Sequence, residues 1–95
     1  MRFEWDENRR LANIRKHQVD FEDVLPLFKG PLRVESDRRR DYGEERYRGI
    51  GCLGLATLVV IFTEPMEGVI RLISARKAER HERESFEAEI GKNRH

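Results

Sequence analysis

A two-layer α+β fold is predicted for this chain of 95 residues. Three observations predict it. A short alternating strand at the N-terminus runs into two amphipathic helical segments. Four β-prone runs follow, joined by turn-forming residues. A last, highly charged segment reads as a helix. Short links between strands imply antiparallel pairing, and two helices then fit on one face of an antiparallel sheet. The expected order is β-α-α-β-β-β-β-α, in one domain spanning residues 1–95.

Arg2 to Trp5 alternates, with Phe3 and Trp5 on one face. Asp6 is a good helix N-cap and Glu7 suits the first turn. That helix is expected to run to about His17, with Leu11 and Ile14 inward and Lys16-His17 in its last turn, where cations favour the dipole. Asp20 caps a second helix, and Val19 and Val24 stand as a hydrophobic staple. Phe21, Val24, Leu25 and Phe28 keep the spacing of a buried helical face. Pro26 inside that pattern kinks the helix or ends it near Leu25. Leu32 to Glu35 alternates as a strand, and Ser36 to Gly43 reads as a loop. Glu45 to Cys52 alternates, with Arg46, Arg48, Ile50 and Cys52 on one side; Gly49 and Gly51 there suggest bulges or close packing. Leu53-Gly54 marks a turn. Ala56 to Thr63 is a β-branched central strand, Glu64 to Gly68 a hairpin link, and Val69 to Lys77 the last strand. Ala78 to Ile90 is expected to be helical, with a thin apolar side of Ala78, Ser85, Phe86 and Ile90. Gly91 should end it, leaving frayed final residues.

Charged residues make up 39% of the chain, yet the net charge is +1. Global charge therefore does not mark a nucleic-acid binder; local charge must. Residues 1–17 and residues 71–84 each carry five basic against three acidic groups, or +2, with acidic stretches between. The one cysteine, Cys52, permits no intramolecular disulfide and no Cys-based metal site. No His-x-x-x-His or Cys-x-x-Cys occurs, and no Gly-rich loop precedes a helix, so neither a metal nor a nucleotide cofactor is expected. The longest apolar run, Leu58 to Phe62, is far short of a membrane span, and the N-terminus lacks an apolar signal region. A cytoplasmic protein with no membrane contact is the expectation.

The stretch from Ile70 to Arg83 changes from apolar and β-prone to charged and helix-prone. Ser74, Arg76, Lys77, Arg80 and His81 crowd that junction, and a strand running into a helix holds them on a rigid corner. Donors and cations so placed suit a phosphate backbone. RNA can be cleaved by such groups without a metal: a base helps the 2′-hydroxyl attack phosphorus, cations stabilise the phosphoryl oxygens, and an acid protonates the leaving 5′-oxygen. The candidate catalytic residues are Arg76, Lys77, His17, Glu45 and Arg48. The candidate RNA-binding residues are Lys16, Arg46, Arg71, Ser74, Tyr42 and His81.

Plainer readings stand beside these. Arg80 and Arg83 are better read as a solvated surface paired with Glu79, Glu82, Glu84 and Glu87. His81 is evenly balanced between that surface and function. Lys16-His17 also serves as a helix C-terminal cap. Arg38-Arg39-Arg40, interleaved with Asp37 and Asp41, reads as a solvated loop able to steer RNA. Tyr47 fits a core or a stacking platform equally, while Phe3 and Trp5 read as core. Arg46 and Arg48 beside Ile50 mark an open sheet face, and Arg71 between Val69 and Ile73 suggests a cleft floor. Adjacent cations at a strand end are poor core material, so Arg76 and Lys77 favour function; they can share a site only if the strand has turned.

Phe3-x-Trp5-Asp6 with Asn8, Asn13-x-x-Lys16-His17, Val19-x-Phe21-x-Asp23, Asp41-Tyr42-Gly43-Glu44-Glu45-Arg46 and Ile73-Ser74-Ala75-Arg76-Lys77-Ala78 resemble, in that order, the BrnT toxin family. The resemblance covers nearly the whole chain. It implies a RelE-like fold and a ribonuclease toxin of a bacterial type II toxin–antitoxin pair, which inhibits translation by cutting RNA. It also implies a cognate BrnA-like antitoxin and operon autorepression through the antitoxin's DNA-binding region. The chain departs from the family pattern at Pro26 and at the apolar Leu53-Gly-Leu-Ala56 turn. The family does not settle which side chain acts as base.

Two functions from different classes follow. One is a metal-independent endoribonuclease acting on RNA. The other is a non-catalytic module that binds a partner within a DNA-binding repressor complex. In both, operator DNA is met only through the antitoxin, in a hetero-oligomer with it, and a toxin dimer is compatible. A plain nucleic-acid-binding domain is disfavoured by the net charge of +1.

Overall fold

Asp6 decides where the first strand stops. In this computed structural model, which describes residues 1–92, its carboxylate accepts from the Asn8 and Arg9 backbone N–H groups at 2.7 and 3.2 Å. Strand β1 (Arg2–Trp5) thus gives way to helix α1 (Glu7–His17), which ends at Gln18 in the left-handed region. Asp20 caps helix α2 (Phe21–Val24) by accepting from the Glu22 N–H. Pro26 lacks an N–H, so the α-helix stops and a 3₁₀ helix takes over at Leu25–Lys29.

Strands β2 (Leu32–Ser36), β3 (Tyr47–Leu53), β4 (Ala56–Met66) and β5 (Val69–Lys77) follow, then helix α3 (Arg80–Lys92). The sheet order is β1-β5-β4-β3-β2. β2 to β5 form an antiparallel meander, but β1 runs parallel to β5, pairing Arg2 with Val69 through Trp5 with Leu72. The sheet is therefore mixed, which corrects the antiparallel expectation. Short turns constrain only β2 to β5. β1 is connected through two helices that cross the sheet face, and such a crossover permits a parallel edge.

One face carries the main core. Val19, Phe21, Val24 and Leu27 pack on Leu58, Val60, Phe62, Ile70, Leu72 and Ala75. Leu11 does not contribute as expected: it is exposed, and Asn13, 4% exposed, is the buried residue of α1. The opposite face, expected to be open, is crossed by α3, whose Phe86 packs on Ile50 and Val59. That helix starts at Arg80, not Ala78, and runs through Gly91 instead of ending there. The frayed residues expected beyond it fall, from Asn93 on, outside the described residues. Gly51 satisfies the close-packing reading, since a Cβ there would sit 3.2 Å from the Leu27 and Leu32 side chains. Among the described residues, no helix is long and apolar enough to cross a membrane.

One irregularity positions the site. Ile61 pairs with Ser74 but Phe62 pairs with Leu72, so Ile73 is an extra residue in β5. The bulge reverses the alternation. Leu72 and Ala75 both face the helical core, Lys77 lies on that side opposite Leu58, and Ser74 and Arg76 turn to the α3 side, opposite Ile61 and Val59.

Candidate active site

β1 pairs with β5 only as far as Leu72, which leaves the edge of residues 73–77 without a neighbouring strand. Asn13 fills that gap. Its Nδ2 donates to the Ala75 carbonyl at 2.8 Å, and the Ala75 N–H donates to its Oδ1 at 3.0 Å. The same Nδ2 donates to the Val19 carbonyl at 2.8 Å. One buried amide thus reproduces a strand pairing and fixes the second half of α1 against the strand edge. This sets Lys16 and His17 beside Ser74, Arg76 and Lys77.

The result is a cleft of about 370 Å³ lined by Lys16, His17, Gln18, Arg76, Lys77 and Glu79. A second hollow shares the Lys16–His17 wall and continues past Arg9 to Ile73 and Ser74. Arg76 and Lys77 point to opposite faces of β5, yet both line the cleft because it wraps around the unpaired end of the strand. Burial depresses the His17 pKa, and the positive charges of Lys16 and Arg76 depress it further. The imidazole is therefore neutral at neutral pH and able to accept a proton. Among the described residues, neither Lys16 nor Lys77 has an ion-pair partner, so both ammonium groups are free to meet an anion.

Arg76 has a partner that the sequence did not reveal. Glu82, expected on a solvated helix surface, is 7% exposed and turned inward. Arg76 donates to both of its carboxylate oxygens, at 2.8 and 2.9 Å. The Glu79 backbone N–H donates to it at 2.7 Å, and Arg48 makes a further bond to the same carboxylate. The Arg76 bonds, then the Glu79 N–H and Arg48, hold Glu82 far below the usual carboxylate range, and Glu82 in turn raises Arg76. A signal was present in the sequence. If Phe86 faces inward, the residue four before it on the helix does too.

The remaining candidates lie apart from the cleft. Tyr42, Glu45 and Arg46 line a hollow in the loop between β2 and β3. There the Arg46 guanidinium stacks 4.0 Å from the Tyr42 ring centre and donates to Glu44. Buried Asp37 organises the loop by accepting from Arg39 at 2.8 and 3.0 Å and from the Tyr42 hydroxyl at 3.4 Å, and the Arg39 bonds keep it ionised. Arg71 donates to Glu4 across the β1–β5 pair and lines a hollow with Trp5, Arg9 and Glu44. Arg48 shares its charge between Glu35 and Glu82. His81 is 77% exposed on its side chain and lies 3.5 Å from Glu79. Arg80 pairs with Glu84 and Arg83 approaches Glu87, the solvated surface expected of them. Tyr47 packs on Phe62 in the core. Among the described residues, no three His, Cys, Asp or Glu side chains are grouped to hold a metal ion.

Three comparisons bear on this geometry. Residues 5–82 match the family model described as the ribonuclease toxin, BrnT, of type II toxin–antitoxin systems. Among solved structures, the chain is similar to the Brucella abortus ribonuclease toxin BrnT, at 32% sequence identity and a TM-score of 0.70, over 84% of this chain and 99% of that one. No curated protein matches the chain.

Proposed function

Because the chain belongs to the BrnT family of ribonuclease toxins of type II toxin–antitoxin systems, we propose that it cleaves RNA in the cleft between α1 and the end of β5, using side chains and no metal. The observation that carries this is His17 facing Lys16, Arg76 and Lys77 in one cavity, where burial and the charges of Lys16 and Arg76 favour its neutral form. His17 takes the proton of a ribose 2′-hydroxyl. The 2′-oxygen attacks the adjacent phosphorus, the bond to the 5′-oxygen breaks, and a 2′,3′-cyclic phosphate and a 5′-hydroxyl end result. Arg76 and Lys77 stabilise charge on the phosphoryl oxygens, and the Lys77 ammonium protonates the leaving oxygen. Lys16 and Ser74 hold the flanking backbone. The stacked Tyr42–Arg46 pair offers a face for a base, with Glu45 and Arg71 further along the strand path and His81 at the rim.

We extend the proposal to a wider role, for which the family match is the support. The domain, residues 1–95, is RelE-like; it inhibits translation in the cytoplasm by cutting RNA and is neutralised by a BrnA-like antitoxin. The complex represses its own operon through the antitoxin's DNA-binding region. Purified protein incubated with RNA in the presence of a chelator tests the central claim. Products ending in a cyclic phosphate support it. Intact RNA, from a protein that is also harmless on expression, refutes it. A second reading, a partner-binding module without catalysis, draws support from edge strand β2 and its exposed Val34. Growth arrest on expression alone, reversed by the antitoxin, separates the two.

A further inference from the structure

Four donors converge on the Glu82 carboxylate: two from Arg76, one from Arg48 and one from the Glu79 backbone. Two guanidinium groups around one planar anion form the arrangement that recognises a phosphodiester. Arg76 is also a wall of the cleft holding His17 and Lys77, so the two sites are continuous. Arg39 lies close enough to Arg76 for its charge to be felt there. With Glu82 in place the group is neutral, because Arg48 and Arg76 are matched by Glu35 and Glu82. With Glu82 withdrawn, one positive charge is left over.

We infer that Arg48 and Arg76 form a seat for an RNA phosphate, that the Glu82 carboxylate occupies this seat as an internal substitute, and that α3 must release before the seat is filled by substrate. This deepens the ribonuclease reading of the cleft and rests on it. Glu82 is poorly suited to act as the base itself, since its neighbours keep it ionised well into acid and so weaken its hold on a proton. Apart from the bonds of Glu82 itself, α3 is attached lightly. Its buried cluster is Phe86 with Ile50 and Val59, beside a far larger core on the other face. Besides Glu82, it is tied by Arg33, which donates to Ser85 at 3.1 Å and Glu89 at 2.9 Å and whose own Nε is, among the described residues, buried without a partner. Ser85, Phe86 and Glu89 all fall beyond residue 82, where the family match ends. The latch thus lies outside the residues that match the family model.

The competing account makes Glu82 a structural residue. It closes the first turn of α3 through the Glu79 N–H and anchors the helix by an ion pair. The two accounts differ in the sign of an affinity change. Binding of a short fluorescent 2′-O-methyl RNA, which lacks the attacking hydroxyl, is measured by anisotropy on the full chain. The wild type is compared with Glu82→Gln and with Phe86→Ala, which loosens the latch without touching the seat. Thermal melts set a temperature at which each variant is folded. At least a ten-fold tighter Kd in both variants is expected, with the gain in Glu82→Gln abolished by adding Arg48→Ala. Unchanged or weaker binding in both variants overturns the inference, and a gain in Phe86→Ala alone counts for it if Glu82→Gln does not fold. Cleavage of ordinary RNA is read in parallel. Wild-type cleavage without any affinity gain sinks the plug and leaves the ribonuclease reading intact. An affinity gain without cleavage by any form does the reverse.

Discussion

His17 carries the sharpest expectations at the residue scale. A positioned general base typically contributes about 10²–10⁴-fold, so His17→Gln should lower RNA cleavage by at least about 10²-fold. Its pKa is depressed by burial and then by Lys16 and Arg76, which fixes the direction of the pH dependence. Cleavage should stay level near neutrality and fall as the imidazole protonates, at a pH below its ordinary value of 6.5. Stability follows the same sign. The unfolded chain takes up the proton first, so folding free energy declines as pH drops from 6.5 toward the folded pKa. Lys16→Glu removes one repelling charge and adds an attracting one, and should move the acid limb of the rate profile upward. A limb that stays in place in Lys16→Glu and persists in His17→Gln would assign the base elsewhere. The sequence made the imidazole visible but not its ionisation, because the depressing charges include Arg76, far away in the chain.

Two elements place these side chains, and they differ in how legible they were. The caps at Asp6 and Asp20, the Val19–Val24 staple and the break at Pro26 are local rules, and each could be read from neighbouring residues. The contact between α1 and β5 is not local. Asn13 looks like an ordinary polar helix residue until the strand it completes is known. Asn13→Ala leaves the Ala75 N–H and two carbonyl groups without partners in a buried place, which should cost about 2–4 kcal/mol. Urea denaturation measures this, and cleavage should fall with it because Lys16 and His17 lose their register against the strand. α3 illustrates the same limit. The sequence shows its charges in pairs at i,i+4 spacing, and the four-residue step from Phe86 back to Glu82 was its one sign that Glu82 faces inward. Glu82→Gln should destabilise the chain by about 1–3 kcal/mol, since the guanidinium groups left behind are partly solvated. Its carboxylate pKa is lowered on folding, so this stabilisation is present above the ordinary value of 4.5 and is lost as pH falls below it. Lower stability together with tighter RNA binding in one variant would separate holding the helix from blocking the seat.

The whole molecule has a net charge of +1, which is too little to hold RNA by its average field. Most arginines are tied to carboxylates: Arg10 to Asp20, Arg33 to Glu89, Arg39 to Asp37, Arg48 to Glu35 and Glu82, and Arg71 to Glu4. The cations left without such a partner around the cleft, among the described residues, are Arg9, Lys16 and Lys77. The fold thus concentrates usable charge where composition shows none. This is why the basic ends seen in the sequence pointed to the two segments that line the cleft but overcounted their free charges. Salt dependence reads the number directly. Each phosphate neutralised on a single strand contributes about −0.7 to the slope of log K against log salt, so three free cations predict a slope of about −2 for the 2′-O-methyl RNA. Arg80→Glu, on the glutamate-paired surface of α3, should leave that slope unchanged, and Lys77→Ala should reduce it by about 0.7. Glu82→Gln uncovers one net positive charge at the Arg48–Arg76 seat and should steepen the slope toward about −3. A slope near −5 in the wild type would instead mean that the Arg38–Arg40 loop and the outer face of α3 also lie on the RNA path, and that the footprint reaches well beyond the cleft.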